Sequence, residues 1–190
     1  MKILLMILTL LFSVSAGYSQ EKFEREYRIK ESEVPQDALR FIERSFPDKK
    51  IKWYGEENLN GQSIEAKVKK DGNLFSVKFD TLGTIQDVEM LVKFRQLNEP
   101  VKQKIENELG AAFSKYKIQK VQIQWKGKDD ALESLISNRK FDGKYVTNYE
   151  LIVRGREGRH TEYYEFLFDR DGKLKERLTI IQRTDHHLIY

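Results

Sequence analysis

Cysteine is missing from all 190 residues. Its absence excludes disulfide bonds, thiolate metal centres and lipid attachment through a cysteine. Only three prolines and 11 glycines occur, too few for long disordered linkers. Histidine is as scarce as proline, at three, which leaves little for metal binding or acid–base work. Neither sign of charge dominates. With 34 basic and 30 acidic residues the net charge is +4, a mildly basic surface rather than a nucleic-acid footprint. Past the first dozen residues no run is long and apolar enough to span a membrane. What is present, 39% hydrophobic and 34% charged residues, suits a soluble globular chain of one domain or two small ones.

The beginning of the chain reads as an address. Lys2 supplies a positive n-region, residues 3–12 are apolar except for Thr9, and small residues follow. That is the pattern of a secretory signal peptide over residues 1–19, cleaved after Ala16 or after Ser19. The mature protein is therefore expected to be periplasmic or secreted and, lacking cysteine, free of a lipid anchor.

Residues 74–89 are a β-hairpin written in sequence. Phe75, Val77 and Phe79 alternate with Ser76 and Lys78, and Asp80-Thr81-Leu82-Gly83 turns the chain toward Ile85 and Val88. Residues 164–179 echo it: Tyr164, Phe166 and Phe168 alternate with Glu165 and Leu167, and Asp169-Arg170-Asp171-Gly172 makes the turn. Phe79, Asp80 and Gly83 map onto Phe168, Asp169 and Gly172 at one constant offset, the mark of an internal repeat.

The order of elements matches the echo. In the first half Val34-Pro35 opens a helix carrying Ala38, Leu39, Ile42 and Phe46, which Pro47 stops. Strands follow around Trp53 and around Ile64, Ala66 and Val68, with Asp71-Gly72 leading into the hairpin. In the second half Asn98 and Pro100 open a helix with Val101, Ile105 and Leu109 inward. Strands follow around Val121, Ile123 and Trp125 and around Tyr149, Leu151 and Val153, separated by a long connection holding a short helix near residues 129–136. The charged residues 21–33 read as a lead-in. The expected fold is α+β, a tandem of two units over residues 20–94 and 95–190, each a helix packed on an antiparallel four-stranded sheet.

Val34-Pro35, Ala38-Leu39, Phe46-Pro47, the Trp53 strand, Asp71-Gly72 and Phe79-Asp80-x-x-Gly83 resemble the PepSY-like, β-lactamase-inhibitor-like (BLIP-like) family of exported bacterial proteins. The second half resembles it more loosely, through Pro100, Trp125 and Phe168-Asp169-x-x-Gly172, and departs from it in the longer connection at residues 126–148. The resemblance implies tandem helix-plus-sheet units, and binding or inhibition of another protein through a sheet face. It brings no catalytic residues.

No catalytic set emerges from the residues themselves. His160 falls in a hairpin loop, and His186-His187, near the C-terminus, would point to opposite faces of a strand, so no metal is expected. The serines lack a nucleophile-elbow context. Asp169-x-Asp171-Gly172 lacks the rest of a calcium loop and reads as a turn. No cofactor motif occurs. Lys102, Lys104, Lys115, Lys117, Lys120, Lys126 and Lys128 cluster in sequence, but helix and strand geometry should scatter them over solvated faces.

One face is less ordinary. The side of the second sheet turned away from its helix should be polar, yet strand parity puts Ile152, Tyr163, Leu167 and Ile181 there. Such a patch is either a protein-binding surface or a face covered by the other repeat or by residues 126–148. The expectation is a non-enzymatic binding protein whose partner is another envelope or secreted protein, a hydrolase among the candidates. An envelope small-molecule or polysaccharide-binding module is the alternative, with an unrecognised hydrolase after it.

Overall fold

Strict alternation of polar and apolar side chains leaves this chain one way to hide its apolar half, as strands beneath helices. The computed structural model describes residues 20–59 and 61–181. Residues 1–19, where a signal peptide is expected, and His186-His187 lie outside the described residues. Among the described residues there are ten strands: β1 (Gln20–Lys22), β2 (Glu24–Arg28), β3 (Ile51–Asn58), β4 (Gly61–Lys70), β5 (Asn73–Asp80), β6 (Ile85–Leu91), β7 (Lys115–Gly127), β8 (Tyr145–Glu157), β9 (His160–Asp169) and β10 (Leu174–Ile180). Three α-helices accompany them: α1 (Gln36–Ser45), α2 (Glu99–Ala112) and α3 (Asp129–Ile136).

All ten strands belong to one sheet, in the order β1-β10-β9-β8-β7-β6-β5-β4-β3-β2. Every neighbouring pair is antiparallel except β1 with β10, which is parallel. Only Phe23 separates β1 from β2, so one extended stretch is bonded to β10 at its start and to β3 at its end. This strap joins the two ends of the sheet and bends it into a nearly closed barrel.

The helices lie outside it. Pro35 leads into α1, whose Ala38, Phe41 and Ile42 pack on Trp53, Ala66, Val77 and Phe79. The Asn98 side chain accepts a hydrogen bond from the Val101 N–H at 3.0 Å and caps α2. Val101, Ile105 and Leu109 then face Leu151, Val153, Phe166 and Phe168. The β5–β6 and β9–β10 turns are built alike. Asp80 Oδ1 accepts from the N–H groups of Leu82 and Thr84 at 2.9 and 2.8 Å, and Asp169 Oδ1 from those of Asp171 and Lys173, both at 2.9 Å. Gly83 (φ +91°) and Gly172 (φ +78°) press against the start of α1 and α2. A Cβ at Gly83 would stand 2.9 Å from Pro35 Cβ, and one at Gly172 3.2 Å from Val101 Cα.

A tandem of two separate helix-on-sheet units is not what forms. The sheet runs unbroken through the β6–β7 pairing, Val88–Leu91 against Gln122–Trp125. Helix α3 comes from the second half of the chain, yet Leu132 and Ile136 enter the core beneath α1, and Arg44 Nε reaches Glu133 at 2.8 Å. The strap serves both ends at once. Two isolated four-stranded sheets would expose four unpaired edges; edge-to-edge fusion and a closing strap remove them. The fold is one nearly closed, barrel-like ten-stranded sheet with three helices. The strap did not read as strand because its inward side chains, Lys22, Glu24 and Glu26, are charged, so it lacks the alternation of apolar and polar residues that marks a half-buried strand.

Candidate functional site: the helix-free inner face

Residues that alternate with the two apolar cores point into the barrel, where no helix among the described residues covers them. Glu56, Glu65, Asp87, Gln122, Gln124, Asn148 and Glu165 are all buried there. Burial of charge on such a scale requires partners. Lys78 Nζ lies 2.8 Å from Glu56 and 3.7 Å from Glu24. β5 and β2 are three places apart in the sheet, about 14 Å if it were flat, so this contact depends on curvature. Lys67 Nζ lies 2.6 Å from Glu26, 3.1 Å from Glu65 and 4.8 Å from the Tyr54 ring centroid. Lys22, on the strap, pairs with Glu165 on β9 and sits 3.2 Å from Glu24. Amides complete the network: Gln122 donates to Glu89 at 2.7 Å and Asn148 to Gln124 at 2.9 Å.

Carboxylates outnumber ammonium groups inside, and their protonation shows it. Burial, reinforced by Glu150, pushes Glu165 up to about 7. Burial raises Asp87 to about 6 despite Lys78 and Lys126. Glu89 is held well above the usual carboxylate range by burial and then by Glu150 and Asp87. For Lys22 and Lys78 burial acts downward, but the surrounding glutamates outweigh it and hold both ammonium groups above their ordinary range.

Glu26, Glu56 and Glu65 each bring an oxygen within 4.8 Å of the others, a spacing a metal ion could use. Lys67 touches two of these carboxylates and Lys78 the third, so ammonium groups supply the counter-charge. A hollow of about 450 Å³ lies along the strap, lined by Lys22, Glu24, Asn58, Leu59, Glu165 and Leu178 among others.

Of the residues singled out by strand parity, Ile152, Tyr163 and Leu167 stand together on this inner face, each half-buried. Ile152 is directly across from Glu165, and Tyr163 and Leu167 flank Glu165 along β9. Leu178, across from Glu165 on β10, completes an apolar collar around that carboxylate. Ile181 does not join them. A bulge between Leu174 and Glu176 shifts the alternation of β10 by one residue, so Leu178 and Ile180 take the inner positions. Ile181, 38% exposed, falls in step with Arg177 and Thr179 on the other side. Nor does α3 cover the collar, since it packs into the core beneath α1.

The clustered lysines are not all scattered. Lys104 donates to the Asp171 carbonyl at 2.8 Å, and Lys126 sits 3.9 Å from Asp87. Lys115, Lys117 and Lys120, however, share the inner side of β7 with Arg154 and Arg156 of β8. Glycines at 155 and 158 give this stretch the composition of a turn and hide the two arginines from a sequence reading. β8 in fact continues to Glu157, and an Arg-Gly-Arg spacing of two residues inside a strand puts both arginines on one face.

No family model matches the chain, and no curated protein does. Solved structures do match. A BLIP-like protein from Bacteroides fragilis NCTC 9343 superposes with a TM-score of 0.52 at 16% identity, covering 82% of this chain and 93% of that one. The fold is BLIP-like. A DUF2874 family protein from Bacteroides ovatus ATCC 8483 matches with a TM-score of 0.50 at 11% identity, over 77% of this chain and 87% of that one. A protein from Bacteroides eggerthii DSM 20697, described as a putative periplasmic protein, gives 0.50 at 11% identity over 80% and 93%. At such identities the BLIP-like likeness concerns the fold alone. Among the described residues no helix is long and apolar enough to cross a membrane.

Proposed function

We propose that this chain is an exported, non-enzymatic binding protein that holds another envelope or secreted protein against the inner face of β7–β9. The observation that carries the reading is the collar of half-buried Ile152, Tyr163 and Leu167 on a face that no helix covers. The BLIP-like fold supports it, as does the periplasmic description of one structural neighbour. The signal-peptide pattern agrees with export. Most ionisable groups inside the barrel pair with one another, and Lys22, Glu24 and Glu165, which line the hollow along the strap, are paired among themselves, an arrangement that supports binding over catalysis. A hydrolase is one partner that a BLIP-like fold suits.

The test is capture from envelope extract with the purified protein as bait, alongside a Tyr163→Ala/Ile152→Ala variant. Both should show cooperative melting, and the variant should lose the captured protein. A variant that melts normally and captures the same protein as fully as wild type would sink the reading.

A further inference from the structure

The inner face of β7–β9 changes character beyond the collar. Lys115 stands directly across from Arg156, and Lys117 directly across from Arg154. Lys120 is across from Ile152, and on its other side Arg154 is across from Tyr163. All five cations are exposed, and none is in ion-pair contact with a carboxylate among the described residues, although Lys120 is near enough to Glu24 and Glu89 to favour their charged forms. Like charges facing each other across an antiparallel pair are destabilising, and a surface built only for solubility mixes its signs. Lysines also guard sheet edges, and β7 runs past the end of β6, whose pairing with it stops at Gln122. Edge protection does not account for Arg154 and Arg156. They lie on an interior strand, paired on one side with β7 and on the other with β9.

We propose that this cationic ladder seats an acidic, extended segment of the protein partner, its Asp and Glu side chains on Lys115, Lys117, Lys120, Arg154 and Arg156 and its apolar side chains on Ile152 and Tyr163. The inference rests on the protein-binding reading and narrows it to the chemistry of the partner. Alternate residues of an extended chain repeat every 6–7 Å or so, the same repeat as the inward residues of β7 and β8, so acids at every second position meet the ladder in register. Guanidinium groups grip carboxylates through paired hydrogen bonds. A polypeptide fits better than a lipid surface, because the cations sit on the inner side of a curved sheet, next to half-buried apolar side chains rather than protruding ones.

The probe is a fluorescein-labelled peptide of alternating Glu and Ser, about ten residues long so as to span the ladder, read by fluorescence anisotropy. Its Gln–Ser counterpart and phosphatidylglycerol vesicles serve as comparisons. Lys117→Glu/Arg154→Glu should bind the acidic peptide about tenfold or more weakly. Lys49→Glu/Lys50→Glu, an equal charge change in an exposed loop, should stay within about twofold of wild type. The Gln–Ser peptide should not bind, and added salt should weaken the acidic one. Equal losses in both double variants would mean general charge attraction and overturn the proposal, as would no loss in the first. Retention on vesicles through Lys117 and Arg154, without peptide binding, would overturn it in favour of a lipid surface. If the envelope partner is still captured by the charge-reversed protein but lost from Tyr163→Ala/Ile152→Ala, the acidic-segment proposal falls while the protein-binding reading stands.

Discussion

The inner faces of the two halves of the barrel handle charge in opposite ways. Across β2–β5 the two half-buried lysines sit among carboxylates, Lys67 between Glu26 and Glu65 and Lys78 between Glu56 and Glu24, while Lys52, directly across from Lys67, stays exposed. Across β7 and β8 Lys115 faces Arg156 and Lys117 faces Arg154, and no carboxylate is in ion-pair contact with these four among the described residues. Paired charge in the first half draws strands together over distances a flat sheet would not allow, so it belongs to closure. Of the second-half cations Lys120 alone acts on the strap, through Glu24, and the two facing pairs remain free to act on something else.

The contrast is tested most severely at Lys78. Lys78→Met should leave buried Glu56 and half-buried Glu24 without their shared ammonium and cost about 3 kcal/mol, the lower end of the range for breaking a buried pair from one side. Lys117→Met should change stability by less than about 0.5 kcal/mol, as surface substitutions do. Urea unfolding of the two variants measures both, and similar losses would erase the distinction between the halves.

A second test uses pH. Asp87 at about 6, Glu165 at about 7 and Glu89 well above its usual range all bind protons more tightly folded than unfolded. Their contribution to stability is therefore fully present below the ordinary carboxylate range and is lost as pH rises through 6 and 7. Each tenfold tightening of proton binding in a group corresponds to about 1.4 kcal/mol. Glu24, held low by Lys22 and Lys78 against its burial, acts in the opposite sense and only at acid pH. The melting temperature should thus fall between about pH 5 and pH 8, and Glu165→Gln should flatten that fall near pH 7. A melting temperature that rises over this range would mean that the interior carboxylates are fully ionised and fully paired.

Where apolar burial leads, the structure was legible in the sequence. Ala38 and Ile42 and then Val101, Ile105 and Leu109 recur at helical spacing and lie inward, whereas Phe41, buried beside them, escapes that reading. Phe75, Val77 and Phe79 and then Tyr164, Phe166 and Phe168 alternate as buried strands. Where buried charge leads, the signal inverts. Glu24, Glu56, Glu65 and Lys78 are written like solvent-facing residues, so alternation marked correctly which face lacks a helix but not that the face closes on itself. Closure depends on Lys22 meeting Glu165, residues far apart in the chain, and no local pattern announces such a contact. Ile181 was misplaced by the single bulge in β10, which leaves no composition signature.

The two turns that the halves share should respond alike but unequally. Gly83→Ala puts a side chain into a left-handed backbone, with its Cβ 2.9 Å from Pro35 Cβ and 3.1 Å from Ala38 N, and should cost about 1–3 kcal/mol. At Gly172 the nearest contacts, Val101 Cα and O, are both at 3.2 Å, and the loss should be smaller. Thermal melts of the two variants rank them. The reverse order would mean that the second turn, not the first, is the tighter seat for its helix.

The smallest effect expected here separates the halves best, because its sign matters. Arg154 faces Lys117 on one side and Tyr163 on the other, exposed and without an acidic partner among the described residues. Arg154→Glu replaces a like-charge cross-strand pair by an opposite-charge one, in a place where no carboxylate loses a counter-ion. It should therefore leave the protein slightly more stable, by about 0.2–1 kcal/mol, the usual size of a cross-strand pair term. The gain should shrink as salt screens the exposed charges. Lys78→Met, by contrast, should lose stability at every salt concentration, since its nearer partner, Glu56, is buried. A stabilised Arg154→Glu variant that no longer binds the acidic peptide would show that the cations are kept at a cost to the fold. A variant destabilised by more than about 1 kcal/mol would assign Arg154 to the architecture, and the second half of the barrel would then use its charges as the first half does.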